Sequence, residues 1–167
     1  MKEIPLTKGH VALVDDRDYE ILMQLAPWHA HKAPHTFYAV HSYYDGGGRE
    51  APRIRKLLMH HVIMGRKYGD RDVDHKDGNG LNNQRSNLRW ASRSQNRANS
   101  RKPHNSKSHF KGVYFLARLN KFQAKIRNRY LGVFVSAEDA ARAYDAAAIA
   151  AYGEFAKLNM TQVERTQ

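Results

Sequence analysis

The sequence contains no cysteine among its 167 residues. Disulfide scaffolds, thiol catalysis and zinc sites with cysteine ligands are therefore excluded. No uninterrupted apolar run approaches the ~20 residues that a membrane span requires. The first residues, Met1 to Leu6, lack the long apolar core of a secretory signal. We therefore expect an intracellular, cytoplasmic protein that does not bind membranes.

Acidic residues are missing from a long part of the chain. No Asp or Glu lies between Asp77 and Glu138, whereas thirteen Arg or Lys residues occur there. The whole chain has a net charge of +12, but residues 1–50 carry −2 and residues 51–167 carry +14. A basic excess without acidic partners fits a polyanionic ligand better than a surface of salt bridges. The charge pattern predicts nucleic-acid binding.

The first half of the chain predicts short strands around one helix. Gly9–Val14 and Thr36–Tyr44 have the composition of strands, and Arg53–Leu58 is a candidate returning strand. Asp15-Asp16 is expected to cap a helix that Pro27 stops. The pattern of this region indicates no chemistry of its own.

A change of composition near residue 100 divides the chain. Residues 99–108 are polar and basic and include a proline, which is typical of a linker. An alanine-rich helix over Ala137–Tyr152 is predicted further on, with Ser136 as its N-cap and Gly153 as its end. Three predicted strands precede this helix: Gly112–Leu116, Phe122–Arg127 and Tyr130–Val135. We therefore predict an α+β protein.

One segment has the residue types of a metal-dependent active site. Asp74 and His75 end a predicted strand that an Asp-Gly-Asn turn follows. Ser92 and Gln95 have the spacing of a capping box, which places Asn96 in the first turns of a helix. We expect the strand end to face this helix, so that a carboxylate, an amide oxygen and an imidazole meet. Hard divalent cations such as Mg²⁺ prefer such oxygen ligands.

Residues 57–100 resemble the HNH motif of the ββα-metal endonucleases, most closely the homing endonucleases of phages. The matching residues are Val73 to Asn79, Asn82-Asn83, Asn87 to Trp90 and Gln95-Asn96. The resemblance implies that His75 activates water, that Asp74 and Asn96 bind one Mg²⁺ or Mn²⁺ ion, and that Asn87 ties the loop together. Met59-His60-His61 stands where the family has a Leu-His-Arg-like segment, so we expect His60 and His61 to support the active site. The resemblance also implies a bacterial or phage-infected host cell.

Residues 109–160 resemble an AP2 DNA-binding domain. The likeness lies in Lys111 to Tyr114, Phe122 to Arg127, Tyr130 to Phe134, Ala137 to Asp145 and Leu158-Asn159. That family places a three-stranded sheet in the major groove of duplex DNA and supports it with a helix. The resemblance implies these DNA contacts: Lys111, Tyr114, Arg118, Lys121, Lys125, Arg127 and Arg129.

Arginines also recur at every fourth position from Arg85 to Arg101. On a helix, the last three of this series would share one face. Because acidic residues are absent nearby, this face is better explained by phosphate contact than by salt bridges. The predicted phosphate contacts are Arg89, Arg93, Arg97, Arg101, Lys102 and Lys107.

The sequence thus predicts a monomeric, metal-dependent endonuclease that cleaves double-stranded DNA at preferred sites. Its predicted parts are a nuclease region at 1–98, a linker at 99–108 and an AP2-like domain at 109–160. One alternative is a DNA-binding regulator with an inactive HNH fold, against which the presence of all four motif residues argues. A second alternative is an RNA-binding protein, against which the AP2 likeness argues.

Overall fold

The computed structural model describes residues 1–46, 53–67, 69–100 and 108–160. Contacts along the chain divide it into two compact units, the first Met1–Arg93 and the second from Ser94 onward. Four α-helices and several small sheets occur within the described residues, so the mixed α and β composition is confirmed. None of the helices in these ranges is long and apolar enough to cross a membrane. Most of the predicted linker lies outside the described residues, and the predicted domain limits stay predictions.

The first unit opens with two antiparallel strands and a helix. Strand β1 (Lys2–Pro5) pairs with β2 (Val11–Val14), and α1 (Asp16–Gln24) begins directly after Asp15. Burial alternates along β2, in which Ala12 and Val14 are completely buried. The predicted strand and helix are confirmed, whereas β1 was not predicted.

A second sheet of the first unit has three antiparallel strands in the order β3, β4, β5. Their ranges are His29–Lys32, Phe37–Tyr44 and Ile54–Leu58, and β4 and β5 confirm the predicted pair. Helix α2 (Met59–Met64) follows β5 without a loop and ends at Gly65, whose φ of 62° is the left-handed conformation that glycine adopts easily.

The motif segment forms a third, two-stranded sheet. Strand β6 (Asp72–His75) pairs with β7 (Leu88–Ala91), and helix α3 (Arg93–Asn99) comes next. The core of the first unit packs apolar side chains from all of its sheets and from α1 and α2. They include Ile4, Val14, Leu22, Trp28, Ala39, Met59, Ile63, Val73 and Leu88.

The second unit contains a three-stranded antiparallel sheet in the order β10, β9, β8 and the helix α4. The strands are β8 (Val113–Leu116), β9 (Lys121–Ile126) and β10 (Arg129–Phe134), close to the predicted ranges. Helix α4 spans Ala137–Tyr152 as predicted, and the Ser136 hydroxyl accepts a hydrogen bond from the backbone N–H of Asp139.

Small side chains let α4 lie close to this sheet. Ala140, Ala141 and Ala148 are buried in the cores between them. At Gly112, which has a φ of +74°, an added Cβ would lie 2.1 Å from the ring of Tyr144. Glycine is therefore required there for space as well as for backbone conformation.

Candidate functional site

Asp74 and His75 lie at the end of β6 and are each only 5% exposed. Burial removes a carboxylate and an imidazole from water, which is unfavourable unless other polar groups replace the lost hydrogen bonds. The strand ends in the turn that contains Gly78, and the chain returns as β7. The hydrogen bonds and ion pairs of Asp74 and His75 define the local chemistry.

Arg89 is the ion-pair partner of Asp74 across the strand pair. The two residues are direct partners in the antiparallel register. Both Nε and Nη2 of Arg89 lie 2.9 Å from Oδ2 of Asp74, with the side chains 10% and 6% exposed. The pairing was missed from the sequence because it depends on strand register. The predicted contact of Arg89 with DNA stays a prediction, and this internal bond competes with it.

Asn87 joins the two ends of the loop between β6 and β7. Its side-chain N–H groups donate to Oδ1 of Asp77 at 3.0 Å and to the carbonyl of Asn82 at 2.8 Å. Its own side-chain oxygen accepts from the backbone N–H of Asp77 at 3.1 Å. These bonds are the ones that a loop-tying role requires. They act inside the protein, and the role of Asn87 in the active site stays a prediction.

Asp77 is held as an anion by the same loop. Burial acts to raise the pKa of Asp77, but donors from Asn79, Asn82 and Asn87 outweigh it, and the net shift is downward. Its Oδ1 accepts from the backbone N–H of Asn79 at 2.7 Å, and its Oδ2 from the side chain of Asn82 at 2.9 Å. Asp77 therefore has the turn-forming contacts expected of an Asp-Gly-Asn sequence.

His75 has a side-chain partner, Asn83, for which the sequence predicted no role. Its Nε2 lies 3.2 Å from Oδ1 of Asn83, which has no exposed surface. Asn83 was one of the residues that carry the family resemblance, and that was the only sequence signal for it. Burial lowers the pKa of His75, while Asn83, Asp77 and Asp74 act in the opposite direction. The net shift is downward, so the imidazole is neutral at pH 7.

His60 packs beside His75 in a cluster of aromatic rings. The ring centroids of the two histidines are 4.8 Å apart, and those of His60 and His61 are 4.5 Å apart. Tyr38, which the sequence analysis missed, lies 5.5 Å from His60 and 5.8 Å from His75. These contacts place His60 next to the catalytic candidate, and the supporting roles of His60 and His61 stay predictions.

The upstream histidines are neutral in this cluster. Burial lowers the pKa of His60 to about 2 and that of His61 to about 4. The Nδ1 atom of His60 is buried and has no hydrogen-bond partner among the described residues. Uncharged rings are compatible with close packing against His75, which charged rings would oppose.

The donor set decides which metal these residues could hold. The ranges that the structure describes contain no cluster of three His, Cys, Asp or Glu side chains that could hold an ion. Asp74 offers one carboxylate, and Arg89 already bonds its Oδ2. The residues fit a hard cation only with amide, water or phosphate oxygens as further ligands. Asn96, the predicted amide ligand, lies half-buried on α3, in the part of the chain that belongs to the second unit.

The outer face of the second unit's sheet carries aromatic and basic side chains. Tyr114, Lys125 and Tyr130 are exposed, and Tyr130 pairs with Lys125 in the register. Val113 and Ala124 alternate with them and are buried against α4. Lys121, Arg118 and Arg129 are exposed as well.

Two of the predicted contacts have partners inside the second unit. Nζ of Lys111 donates to the backbone carbonyls of Arg97, Ala98 and Ser100 at 3.2, 2.5 and 2.7 Å, which satisfies the C-terminal end of α3. Arg127 donates to the Ser94 hydroxyl and lies over a tyrosine ring of α4. Their DNA contacts stay predictions, alongside those of Arg93 and Arg97, which are exposed on α3. The predicted contacts Arg101, Lys102 and Lys107 lie outside the described residues.

Comparison with known proteins supports the nuclease interpretation of the motif segment. Residues 57–98 match the model of the family described as HNH endonuclease. The match covers β5, α2, β6, β7 and most of α3, and it includes Asp74, His75, Asn87 and Asn96. No solved structure matches the chain. The match supports an HNH nuclease at the general level, and DNA is the substrate that this family implies.

Proposed function

We propose that the protein is a divalent-metal-dependent DNA endonuclease of the phage homing type. The observation that carries the proposal is a buried, neutral His75 beside the Asp74 carboxylate, in the stretch that matches the HNH family. A neutral imidazole is a general base near pH 7, and the neighbouring carboxylate is a hard oxygen donor. Both groups are fixed by a loop with many internal hydrogen bonds.

In the proposed reaction, His75 takes a proton from a water molecule as the water oxygen attacks phosphorus in line with the scissile bond. The bond from phosphorus to the 3′ oxygen breaks, and that oxygen takes up a proton from solvent. The products carry 5′-phosphate and 3′-hydroxyl ends. Asn87 contributes by holding the loop that follows His75.

A bound Mg²⁺ or Mn²⁺ ion supplies positive charge next to the phosphate and the departing oxygen. Asp74 and Asn96 would hold it through a carboxylate and an amide oxygen. With only one charged ligand, affinity for the ion is expected to be low without DNA, whose phosphate completes the set of donors. Arg89 orients the Asp74 carboxylate through its bonds to Oδ2.

Recognition of duplex DNA is assigned in the same proposal to the AP2-like second unit. The support is the combination of exposed tyrosine and basic side chains on one face of its sheet. Basic groups position a protein on phosphates, while groove contacts select the sequence. Arg93 and Arg97 would add phosphate contacts, and a monomer is sufficient for one such site.

The test is cleavage of supercoiled plasmid by the purified protein in Mg²⁺, in Mn²⁺ and in excess chelator. We expect cleavage with either ion and none with chelator. Ligation of the products, and end-labelling with and without phosphatase treatment, identifies the ends. Products that cannot be religated and that label without phosphatase would contradict the proposed direction of attack.

The ion pair of Asp74 with Arg89 favours one alternative, a DNA-binding regulator with an inactive HNH fold. In that case the guanidinium compensates the charge that a cation would otherwise compensate. Sequence-selective binding of duplex DNA without cleavage in any divalent metal would establish the regulator. Preference for RNA over duplex DNA in a competition assay would instead favour an RNA-binding protein.

A further inference from the structure

We propose that Asn83 is a positioning residue that holds His75 as the tautomer with its proton on Nε2. The lone pair that accepts a proton then lies on Nδ1. The role of this tautomer in cleavage rests on the proposed function, whereas the tautomer itself does not. Neither the family resemblance nor the motif pattern assigned such a role to Asn83.

The orientation of the Asn83 amide decides which imidazole nitrogen carries the proton. Its Nδ2 donates to the carbonyl of Leu81 at 3.3 Å, which leaves Oδ1 directed at His75 Nε2 at 3.2 Å. An amide oxygen only accepts hydrogen bonds, so Nε2 must be the donor. A neutral imidazole has a single N–H, and therefore Nδ1 is the basic nitrogen.

Strand β2 holds Asn83 in this place. The backbone N–H of Asn83 donates to the carbonyl of Leu13 at 2.8 Å, and the N–H of Leu13 donates to the carbonyl of Leu81 at 2.9 Å. Leu13 and Asn82 thus form a parallel bridge, and Asn83 is completely buried. These bonds fix the backbone from which the Asn83 side chain extends, and the amide itself is held between the Leu81 carbonyl and His75.

The residue before α1 and α1 itself hold the same loop at Arg85, two residues after Asn83. The backbone N–H of Arg85 donates to Oδ2 of Asp15 at 2.9 Å. Its Nε and Nη2 donate to the two carboxylate oxygens of Asp18 at 2.9 and 2.7 Å. The Asp18 side chain is 7% exposed and that of Arg85 is 36% exposed, so the carboxylate of this bidentate pair is shielded from water while the guanidinium is partly exposed. The N-terminal segment, which showed no chemistry in its sequence, thereby supports the loop that orients His75.

Aromatic packing restrains the same imidazole. The ring of His60 meets that of His75 edge to face, and the Tyr38 ring lies on the same cluster. At Gly80, an added Cβ would lie 2.5 Å from both the Phe37 carbonyl and the Tyr38 ring, so the loop approaches β4 closely. A half-turn of the His75 ring, which would put Cε1 in place of Nε2 opposite Asn83, is therefore hindered.

The experiment measures the tautomer directly in the metal-free protein. Two-bond ¹H–¹⁵N spectra of the imidazoles distinguish Nε2–H from Nδ1–H, and loss of one signal set in His75→Gln identifies His75. Wild-type protein at pH 7 should show His75 as the Nε2–H form. Asn83→Leu, which cannot accept a hydrogen bond, should move His75 toward the Nδ1–H form, and Asn83→Asp, which retains an acceptor, should keep Nε2–H.

Cleavage kinetics provide the second measurement. Asn83→Leu should lower kcat about 10- to 100-fold, a part of the 10²–10⁴ that general-base catalysis is typically worth, with KM for DNA unchanged. Gln84→Leu is the matched control, because this neighbouring amide forms its described hydrogen bonds through backbone atoms. It should change neither the tautomer nor kcat. If Asn83→Leu fails to fold, Asn83→Ala, which also lacks an acceptor, replaces it.

The outcomes separate this proposal from the proposed function. An unchanged tautomer in Asn83→Leu overturns the positioning role, whatever the rate does. A shifted tautomer with unchanged kcat also overturns it, because the tautomer then has no part in cleavage. Should the wild type cleave no DNA with any metal while the tautomer still responds to Asn83, the endonuclease proposal fails and only the tautomer assignment is supported.

Discussion

The two units place their polar side chains in opposite ways. In the first unit, Asp74, His75 and Asn83 are buried. His75 is hydrogen-bonded to Asn83, and Asp74 is paired with Arg89. In the second unit, Tyr114 and Tyr130 of the sheet face are more than half exposed. Buried and hydrogen-bonded polar groups have fixed orientations, which suits chemistry. Exposed aromatic and basic groups suit binding to a large surface.

Burial alone does not mark a catalytic group, as the second unit shows. Asp145 of α4 is 1% exposed, yet its oxygens accept from the backbone N–H groups of Asn159 and Met160 and from the Asn159 side chain. Asn159 in turn bonds the backbone N–H and carbonyl of Lys111. This carboxylate joins α4 to Asn159 and Met160 and, through Asn159, to Lys111. Asp74 differs because its neighbour in the sequence is an imidazole.

The largest expected effect is that of His75→Ala. Without the general base, cleavage should fall by about 10²- to 10⁴-fold, while affinity for duplex DNA should remain near the wild-type value. Tyr114→Ala is the comparison in the other unit, and should weaken binding with little effect on kcat at saturating DNA. Plasmid cleavage and fluorescence anisotropy test both variants. Loss of binding in His75→Ala would mean that buried residues also serve recognition.

Asp74→Ala should abolish metal-dependent activity, with no rescue at moderate Mg²⁺. It also leaves the buried guanidinium of Arg89 without its carboxylate, which typically costs about 3–5 kcal/mol of unfolding free energy. The double variant Asp74→Ala/Arg89→Met removes both charges. We expect urea unfolding to show recovered stability in the double variant, without recovered cleavage. Activity in either variant would place the metal ligand elsewhere, with Asp77 as the next candidate.

A pair of glycines tests how far each unit tolerates the same change. Gly80→Ala would press a methyl group on Tyr38 and the Phe37 carbonyl, and Gly112→Ala would press one on Tyr144 at a φ of +74°. Overpacking costs typically about 1–3 kcal/mol, with a further penalty at positive φ, so Gly112→Ala should be the more destabilising. Thermal unfolding measures both.

The two glycine variants should also differ in function. Gly80→Ala should lower kcat, since Tyr38 packs on His75. Gly112→Ala should weaken DNA binding, since it disturbs the sheet of the second unit. A fall in kcat from Gly112→Ala with Kd unchanged would contradict this division of labour.

Elements with local signals were predictable, and long-range partners were not. The capping serine, the alanine run and Gly153 define α4 within a single stretch of sequence, so its limits agree with the prediction. Strand β3 has a polar sequence, and only its pairing with β4 makes it a strand. Asn83 and Arg89 acquire their partners from strand register and loop closure, about which a residue pattern says nothing. Arg85 fitted a periodic basic stripe, yet it pairs with Asp18, 67 residues away.

Acid should destabilise the first unit through His60. Its folded pKa of about 2 lies below its ordinary value of 6.5, so below pH 6.5 the unfolded state takes up a proton that the folded state does not. Stability is therefore greatest above pH 6.5 and falls as the pH is lowered, by about 1.4 kcal/mol per pH unit from this group. His61 and His75 act in the same direction.

Urea unfolding at pH 7, 6 and 5 measures this dependence. His60→Leu should reduce the loss between pH 7 and 5 by about 2 kcal/mol. His109, which is exposed in the second unit, is the control, and His109→Gln should leave the dependence unchanged. An identical pH dependence in wild type and His60→Leu would show that the buried imidazole does not link protonation to folding.

The smallest expected effect distinguishes two lysines of the second unit. Lys125 is exposed on the sheet face, whereas the ammonium of Lys111 lies on three backbone carbonyls at the end of α3. If Lys125 contacts phosphate, Lys125→Met should lower the slope of log K against log salt by about 0.9. Lys111→Met should leave the slope unchanged and instead lower the melting temperature, because it removes the donor for those carbonyls. A salt titration of both variants on one duplex, together with thermal unfolding, distinguishes phosphate contact from support of α3. A reduced slope for Lys111→Met with unchanged stability would mean that this lysine leaves α3 to bind DNA, and that the second unit also uses a lysine with internal hydrogen bonds for recognition.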